Sequence, residues 1–147
     1  MKHYFIVIDT NVLVSGLIGR NQTSPPVGIL NYLLAERGVI IPLFNDEIIK
    51  EYDNVLKRNK FNIDHKLVDD VIERIKTIGI SCERIESKDV FTDAKDLVFY
   101  EVALSKDDSY LVTGNIKHFP KVNFVVQFPI LSTVFPLTAT LHAATWS

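Results

Sequence analysis

The stretch FIVIDTNVLVSG, residues 5–16, decides the fold. Its first four residues, Phe5 to Ile8, are all aromatic or β-branched, and an apolar run without alternation is typical of a strand buried on both faces of a parallel sheet. Ligands of open α/β sheets bind at the carboxyl ends of the strands. Asp9 follows such an end, but aspartate is also a common helix cap. Position alone does not separate a functional role from a capping role.

The rest of the chain alternates helix-like with strand-like segments. Apolar periodicity, caps and breakers predict helices over 24–38, 45–56 (capped by Asn45), 64–78 and 94–105. Short β-rich runs predict further strands over 39–44, 81–85, 110–113 and 124–126. This alternation predicts an α/β fold in which a parallel sheet carries helices on both faces.

Composition indicates an ordinary globular protein. The chain has 147 residues, 47% of them hydrophobic and 23% charged, so we expect a single domain over 1–147 with its core in about 1–126. The single cysteine excludes an internal disulfide and suits a reducing compartment. Because the first apolar run is interrupted early and no stretch is long enough to span a bilayer, we expect a cytoplasmic protein without a membrane segment.

The last residues differ from the rest in charge. From Val122 to Ser147 the chain has no Asp, Glu, Lys or Arg, and Pro129 and Pro136 prevent a continuous helix. This tail, 127–147, could be an edge strand with a docked extension, a partner-facing segment or a poorly ordered end. The sequence does not choose between these structures.

The formal net charge of −2 argues against indiscriminate binding to duplex DNA, which usually requires a basic surplus. Nucleic acid would therefore have to be contacted through local basic patches. The candidates are the run 57–60 and a second group formed by Lys117, His118 and Lys121. Solvated surface charge is the simpler explanation for each group taken alone.

Carboxylates are the remaining groups with plausible chemistry, because the chain has neither a glycine-rich nucleotide loop nor a Cys/His set with zinc spacing. Oxygen ligands suit Mg²⁺ or Mn²⁺. Glu51 lies at the border of the apolar stripe of its helix, where a carboxylate needs either a salt bridge or a cation. Asn115, which follows a strand, offers a neutral oxygen ligand or is a simple turn residue.

Asp93 and Asp96 lie where the helix over 94–105 begins. Asp93 can cap this helix and Asp96 gains from its dipole, so both have a structural explanation. The same helix end also aims side chains at the edge of the sheet. Glu101, further along this helix, is an outside candidate.

Four segments in order carry a family resemblance: IDTNVLVSG (8–16), NDEIIKEYDNVLKRNKF (45–61), DAKDLVFYEVAL (93–104) and YLVTGNIKHFP (110–120). Together they resemble the PIN-domain family, in particular the small bacterial and archaeal toxins of toxin–antitoxin pairs. The resemblance implies a three-layer α/β/α sandwich with a central, mostly parallel sheet. It also implies an Mg²⁺- or Mn²⁺-dependent endoribonuclease that hydrolyses RNA phosphodiester bonds.

Carried over by position, Asp9, Glu51 and Asp96 match the metal-binding acids of the family. Asn115 stands where many members have a fourth acid, and the tail departs from the usual final turn and helix of the family. The resemblance further implies that Thr113 holds water or substrate, and that Arg58, Lys60 and Lys117 bind flanking phosphates.

The family also implies partners, namely the RNA substrate, an antitoxin protein and, in many members, a second copy of the chain. Two other interpretations remain open. One is a PIN-fold binding or regulatory module without catalysis, which Asn115 and the acidic net charge favour. The other is a haloacid-dehalogenase-like hydrolase, but Asn11 stands where that family has its second aspartate.

Overall fold

The computed structural model describes residues 3–19, 25–35 and 38–127, so the expectations for the tail beyond Gln127 lie outside the described residues. Five strands occur within these ranges: β1 Tyr4–Ile8, β2 Ile40–Phe44, β3 Ile80–Ser81, β4 Ser109–Thr113 and β5 Val125–Gln127. The helices of the same ranges are α1 Thr10–Ile18, α2 Pro25–Leu34, α3 Asp46–Leu56, α4 His65–Ile78 and α5 Ala94–Leu104. Two short 3-10 turns, Asn59–Phe61 and Ile116–His118, follow α3 and β4.

The strands form one sheet in the order β3-β2-β1-β4-β5, and every pair is parallel. The predicted α/β fold with a parallel sheet is therefore confirmed. β1 pairs with β2 on one side and with β4 on the other, with Ile8 opposite Val112. The chain order reverses between β1 and β4, and such a switch point is where open α/β sheets bind their ligands.

Helices cover both faces of this sheet. Crossovers between parallel strands are right-handed, so the helices that connect β1 to β2 and β2 to β3 lie on one face. The connection from β3 to β4 runs in the opposite direction, which places α5 on the other face. The contacts agree, since α1 to α4 touch one another and α5 packs on β1 and β4. The three-layer α/β/α sandwich implied by the resemblance is confirmed.

The central strands are buried on both faces, as their composition predicts. Ile6, Val7 and Ile8 have at most 1% of their surface exposed. Asn45 caps α3 as expected, because its side chain accepts a hydrogen bond of 2.9 Å from the N–H of Ile48. Of the helices present in the described ranges, none is long and apolar enough to cross a membrane.

The structure corrects three predicted boundaries. The helix predicted over 24–38 begins at Pro25 and ends at Leu34. The strand predicted over 81–85 is only Ile80–Ser81. After Cys82, whose N–H donates to Phe44 O, the chain leaves the sheet and Ile85 N donates to the Glu101 carbonyl on α5. The last strand is displaced by one residue, to Val125–Gln127.

Candidate active site

Asp9 lies at the switch point and does not cap the following helix. It occupies the N-cap position of α1, but its side chain makes no capping hydrogen bond. Instead, Asp9 Oδ2 accepts a hydrogen bond of 2.7 Å from Thr113 Oγ1, at the end of the neighbouring strand β4. The backbone reinforces this register, because Asp9 N donates to Val112 O. The geometry therefore favours the functional interpretation of Asp9 over the capping one.

The surroundings of Asp9 oppose its ionisation. Only 6% of its surface is exposed. The pKa of Asp9 is raised to about 6, because the effects of burial, which is the largest cause, and of the charge of Asp96 outweigh the lowering effect of the hydrogen bond from Thr113. The charge of Asp9 and burial together also raise the pKa of Tyr52, with burial the larger cause. A carboxylate in this position is stabilised by a nearby cation.

Asp96 lies in the first turn of α5 but does not cap this helix. Asp93 provides that cap, because its side chain accepts a hydrogen bond of 2.9 Å from the N–H of Lys95. Asp96 is free of this task, and its Oδ2 lies 3.4 Å from Nδ1 of His118. Burial raises the pKa of Asp96, and the charges of Asp93 and Glu51 raise it further, while His118 lowers it. The charge of Asp96 thus acts on Asp9, and the charge of Glu51 acts on Asp96.

Glu51 projects from α3 towards the beginning of α5. Its side chain is 17% exposed and lies 3.6 Å from Nζ of Lys95, a largely exposed residue. Beside it, the Tyr52 hydroxyl donates a hydrogen bond to Ile8 O, and the Tyr52 ring packs against Phe99 of α5 with centroids 6.1 Å apart. Tyr52 thereby fixes α3 against the end of β1. Tyr52 is part of the apolar stripe of this helix, and the sequence gives no sign of its positioning role.

Thr113 and its neighbours form a tight turn beside Asp9. Thr113 is fully buried, and its Oγ1 accepts a hydrogen bond of 3.0 Å from Asn115 N while donating to Asp9. The N–H of Gly114 donates to Asn11 Oδ1 over 3.2 Å. Asn115 itself is exposed and lines a cleft of about 200 Å³ together with Asn11 and Ser15.

The structure distributes the expected ligands over separate concavities. A cavity of about 570 Å³ contains Asp96, Lys117 and His118. A smaller one of about 160 Å³ contains Glu51 and Lys95. Within residues 3–19, 25–35 and 38–127, no three acidic, histidine or cysteine side chains are grouped so that they could hold a metal ion together.

The donor set still fits a divalent cation of the Mg²⁺ type. Mg²⁺ keeps several waters and is usually bound by one or two carboxylates rather than by a protein cage. Asp9 and Asp96 provide two interacting carboxylates with oxygen donors only. Thr10 Oγ1, in the residue after Asp9, is buried and has no hydrogen-bond partner among the described residues, so it is a group that a bound water would satisfy. The residues present therefore suit a cation held by two carboxylates and water.

Two of the basic residues assigned to RNA binding lie far from this edge. α3 begins after β2 and has 11 residues, so Arg58 and Lys60, beyond its last residue, lie about 16 Å from its start. The neighbouring Lys57 pairs with Asp53 and Asp69 at 2.8 and 2.6 Å. Lys117, by contrast, lines the cavity that contains Asp96.

Glu101, the outside candidate, has a structural role. Only 5% of its surface is exposed, and its Oε1 accepts a hydrogen bond of 2.8 Å from Arg84 Nε and forms an ion pair with Arg84 Nη2 at 2.7 Å. Its Oε2 accepts the N–H of Ser87 at 2.6 Å. Arg84 also pairs with Glu47 at 2.9 Å. Glu101 thus anchors the segment between β3 and α5.

Comparison with known protein families agrees with this architecture. The family model described as PIN domain matches residues 5–117, a range that includes Asp9, Glu51, Asp96 and Asn115. Neither the comparison with curated proteins nor the comparison with solved structures gave a significant match.

Proposed function

This chain belongs to the PIN-domain family, and from that membership we propose that it is an Mg²⁺- or Mn²⁺-dependent endoribonuclease. PIN domains are generally nucleases that use divalent metal ions. The single observation that carries the proposal is the buried Asp9 at the switch point of the sheet, whose ionisation is disfavoured by burial and by the charge of Asp96. A bound cation relieves this repulsion and reverses the sign of the local field for a phosphodiester substrate.

We assign the protein groups the following work. Asp9 and Asp96 hold the cation, which when bound polarises a phosphoryl oxygen and lowers the pKa of bound water. Thr113 holds Asp9 in place through its 2.7 Å hydrogen bond. Glu51, whose charge acts on Asp96, accepts a proton from the attacking water or orients that water. Asn115, exposed beside Thr113, contacts the substrate or a water.

The basic residues contribute to binding rather than to chemistry. Lys117 lines the same cavity as Asp96, so its ammonium group binds a phosphate next to the scissile bond. Arg58 and Lys60, which follow α3 at the far end from Asn45, bind phosphates further along the strand. RNA as the substrate, rather than DNA, rests on the family resemblance of the four segments.

The biological role proposed is that of the toxin in a toxin–antitoxin pair, acting in the cytoplasm. This role rests on the resemblance of the same four segments to small bacterial and archaeal toxins. It implies an antitoxin that covers the acidic edge around Asp9 and Asp96, and it is compatible with a homodimer. Co-purification of the chain with the product of an adjacent gene tests the pairing. Recovery of the chain alone from cells that express both genes would contradict it.

RNA cleavage by the purified protein tests the enzymatic proposal. Cleavage is expected with Mn²⁺ and is expected to disappear with EDTA and in the Asp9→Asn variant, which keeps the size of the side chain and removes its charge. Asp70→Asn, a change of an exposed α4 acid, is the matched control and is expected to cleave normally. Equal cleavage by all samples would exclude a metal-dependent site at Asp9.

A non-catalytic PIN-fold module is the second candidate, and one observation favours it. Lys95 lies 3.6 Å from Glu51, and His118 lies 3.4 Å from Asp96, so basic side chains of the chain itself already lie beside two of the acids. Calorimetric titration with Mn²⁺ separates the two functions. Saturable binding that Asp96→Asn abolishes supports the nuclease, whereas no saturable binding supports the module.

A further inference from the structure

The turn after β4, residues 114–116, is held by side chains from two neighbouring elements, and we infer that Gln127 is a positioning residue of the candidate site. It acts through this turn to hold Asn115 beside Asp9. The inference rests on the proposed nuclease function and adds to it a residue that lies beyond the part of the chain matched by the family model. Gln127 is the last residue of β5 and stands opposite Thr113 in the parallel ladder of β4 and β5.

Three successive backbone N–H groups of this turn donate hydrogen bonds to side-chain oxygens. The three bonds are Gly114 N to Asn11 Oδ1 at 3.2 Å, Asn115 N to Thr113 Oγ1 at 3.0 Å and Ile116 N to Gln127 Oε1 at 3.0 Å. Successive N–H groups in a turn can form a concave binding site for an anion. Here all three groups already have acceptors, so the turn offers its side chains, and not its N–H groups, to a substrate.

Asn115 is the side chain that this arrangement leaves available. It occupies the N-cap position of the short 3-10 turn after β4, but it makes no capping hydrogen bond and is exposed. The first N–H of the 3-10 turn, that of Ile116, is satisfied by Gln127. Asp96 is relieved of capping in a similar way, because Asp93 caps α5. In both places another residue makes the local hydrogen bond, and the candidate site residue keeps its polar group free.

The same turn is joined to Asp9 through a single hydroxyl group. Thr113 Oγ1 donates to Asp9 Oδ2 over 2.7 Å and accepts the N–H of Asn115. Gln127 fixes the next N–H along the chain, so a loss of its oxygen would let the turn move and would shift Asn115 relative to Asp9. The support for Gln127 is firm, because the preceding residue, Val126, has only 5% of its surface exposed.

Amide NMR of the metal-free protein tests this contact without any cleavage. Gln127→Met keeps an unbranched side chain and removes the oxygen, whereas Gln127→Glu keeps an oxygen acceptor. In Gln127→Met, the Ile116 amide is expected to exchange with solvent about tenfold faster, and the order parameters of Asn115 and Ile116 are expected to fall. Gln127→Glu is expected to keep the slow exchange. Asn123→Ala, a change of an exposed residue before β5, is the control and is expected to leave both quantities unchanged.

A double-mutant cycle tests whether Gln127 acts through Asn115. Gln127→Met and Asn115→Ala are each expected to lower kcat/KM for RNA about tenfold, and the double variant is expected to lose no more than Asn115→Ala alone. Independent roles would instead multiply to a loss of about a hundredfold. Gln127→Glu is expected to recover most of kcat, since its oxygen can accept the Ile116 N–H. The NMR spectra of the same samples show that each variant is folded.

The outcomes separate the positioning role from the nuclease. Unchanged exchange of the Ile116 amide in Gln127→Met, or losses that multiply in the cycle, overturn the positioning role and leave the nuclease intact. A wild type that cleaves no RNA overturns the nuclease. In that case, fast Ile116 exchange in Gln127→Met still supports the hold of Gln127 on the turn, and slow exchange overturns it.

Discussion

Two carboxylates, Asp9 and Glu101, are buried to the same degree, with 6% and 5% of their surfaces exposed, and have opposite surroundings. Glu101 accepts hydrogen bonds from Arg84 and from the Ser87 N–H, so its charge is matched by a cation and a donor. Asp9 receives one hydroxyl hydrogen bond, from Thr113, and interacts with a second acid, Asp96. The charge of Glu101 is matched by an ion pair, whereas no basic side chain of the described residues forms an ion pair with Asp9.

The difference shows how buried acids of one chain can be sorted into structural and functional groups. A buried charge that is paired contributes to the architecture, and its loss leaves its partners unsatisfied. A buried charge beside another of the same sign costs stability, and proteins tolerate that cost where function needs it. Asp9 and Glu101 should therefore respond in opposite ways to substitution.

The largest difference between substitutions of the two acids is expected in cleavage activity. Asp9→Asn is expected to lower kcat/KM for RNA about a thousandfold, because it removes a carboxylate that we propose as a ligand of the cation. Glu101→Gln, which keeps the side-chain shape, is expected to change kcat/KM by less than about threefold. Steady-state cleavage assays of both variants with Mn²⁺ measure this ratio. A larger loss in Glu101→Gln than in Asp9→Asn would reverse the assignment.

Substitutions of the two acids should change the free energy of unfolding in opposite directions. Glu101→Ala leaves Arg84 and the Ser87 N–H without their acceptor and is expected to lower the free energy of unfolding by about 3 kcal/mol. Urea unfolding measures the change. Glu86→Ala, in the same segment but exposed, is the control and should leave the free energy nearly unchanged. Equal effects of the two substitutions would mean that the anchor is not important for stability.

Asp9→Asn, in contrast, is expected to stabilise the metal-free protein at pH 7. The pKa of Asp9 is raised from 3.8 to about 6 in the folded protein, so ionisation of Asp9 costs more free energy in the folded state than in the unfolded state. This cost is absent below about pH 4, grows between pH 4 and 6, and is complete at pH 7. A shift of about two pKa units corresponds to a gain of roughly 2–3 kcal/mol. Urea unfolding in EDTA at pH 4 and pH 7 measures it.

A bound cation should cancel this advantage. Mn²⁺ is expected to raise the unfolding free energy of the wild type and to have little effect on Asp9→Asn, since binding to the folded state alone stabilises by mass action. A variant that is no more stable than the wild type at pH 7 in EDTA would show that Asp9 has a favourable partner in the folded protein.

The smallest expected effect concerns the support of the acidic edge. Tyr52→Phe removes the hydroxyl that donates to Ile8 O, one residue before Asp9. We expect a loss of about 1 kcal/mol of unfolding free energy. We also expect a fall in kcat larger than this loss of stability explains, because α3 also holds Glu51. Urea unfolding and cleavage assays on the same preparation compare the two effects. An unchanged kcat would mean that Tyr52 is structural only.

Local patterns of the sequence predicted most of the elements. Three of these patterns involve only neighbouring residues: the apolar run before Asp9, the cap at Asn45 and the cap at Asp93. All three are present in the structure. The strand predicted over 81–85 was too long. Arg84 leaves the sheet there to neutralise Glu101, 17 residues away, and local propensity contains no sign of that partner.

Less of the candidate site could be predicted from the sequence, because its decisive contacts join residues that are far apart along the chain. Whether Asp9 caps a helix or faces a site depended on Thr113, which lies 104 residues further along the chain. The neighbours of Glu51 and Asp96, namely Lys95 and His118, likewise depend on how α3, α5 and the turn after β4 meet. The resemblance to the PIN-domain family named the acids in advance, but not the basic groups beside them.

The most direct measurement of the central claim is anomalous diffraction from crystals of the protein soaked in Mn²⁺. The account expects one anomalous peak in contact with carboxylate oxygens of both Asp9 and Asp96, and its loss in crystals of Asp9→Asn. A peak that contacts neither acid, or an acidic edge that stays without Mn²⁺ while Lys95 and His118 keep their contacts, would contradict it.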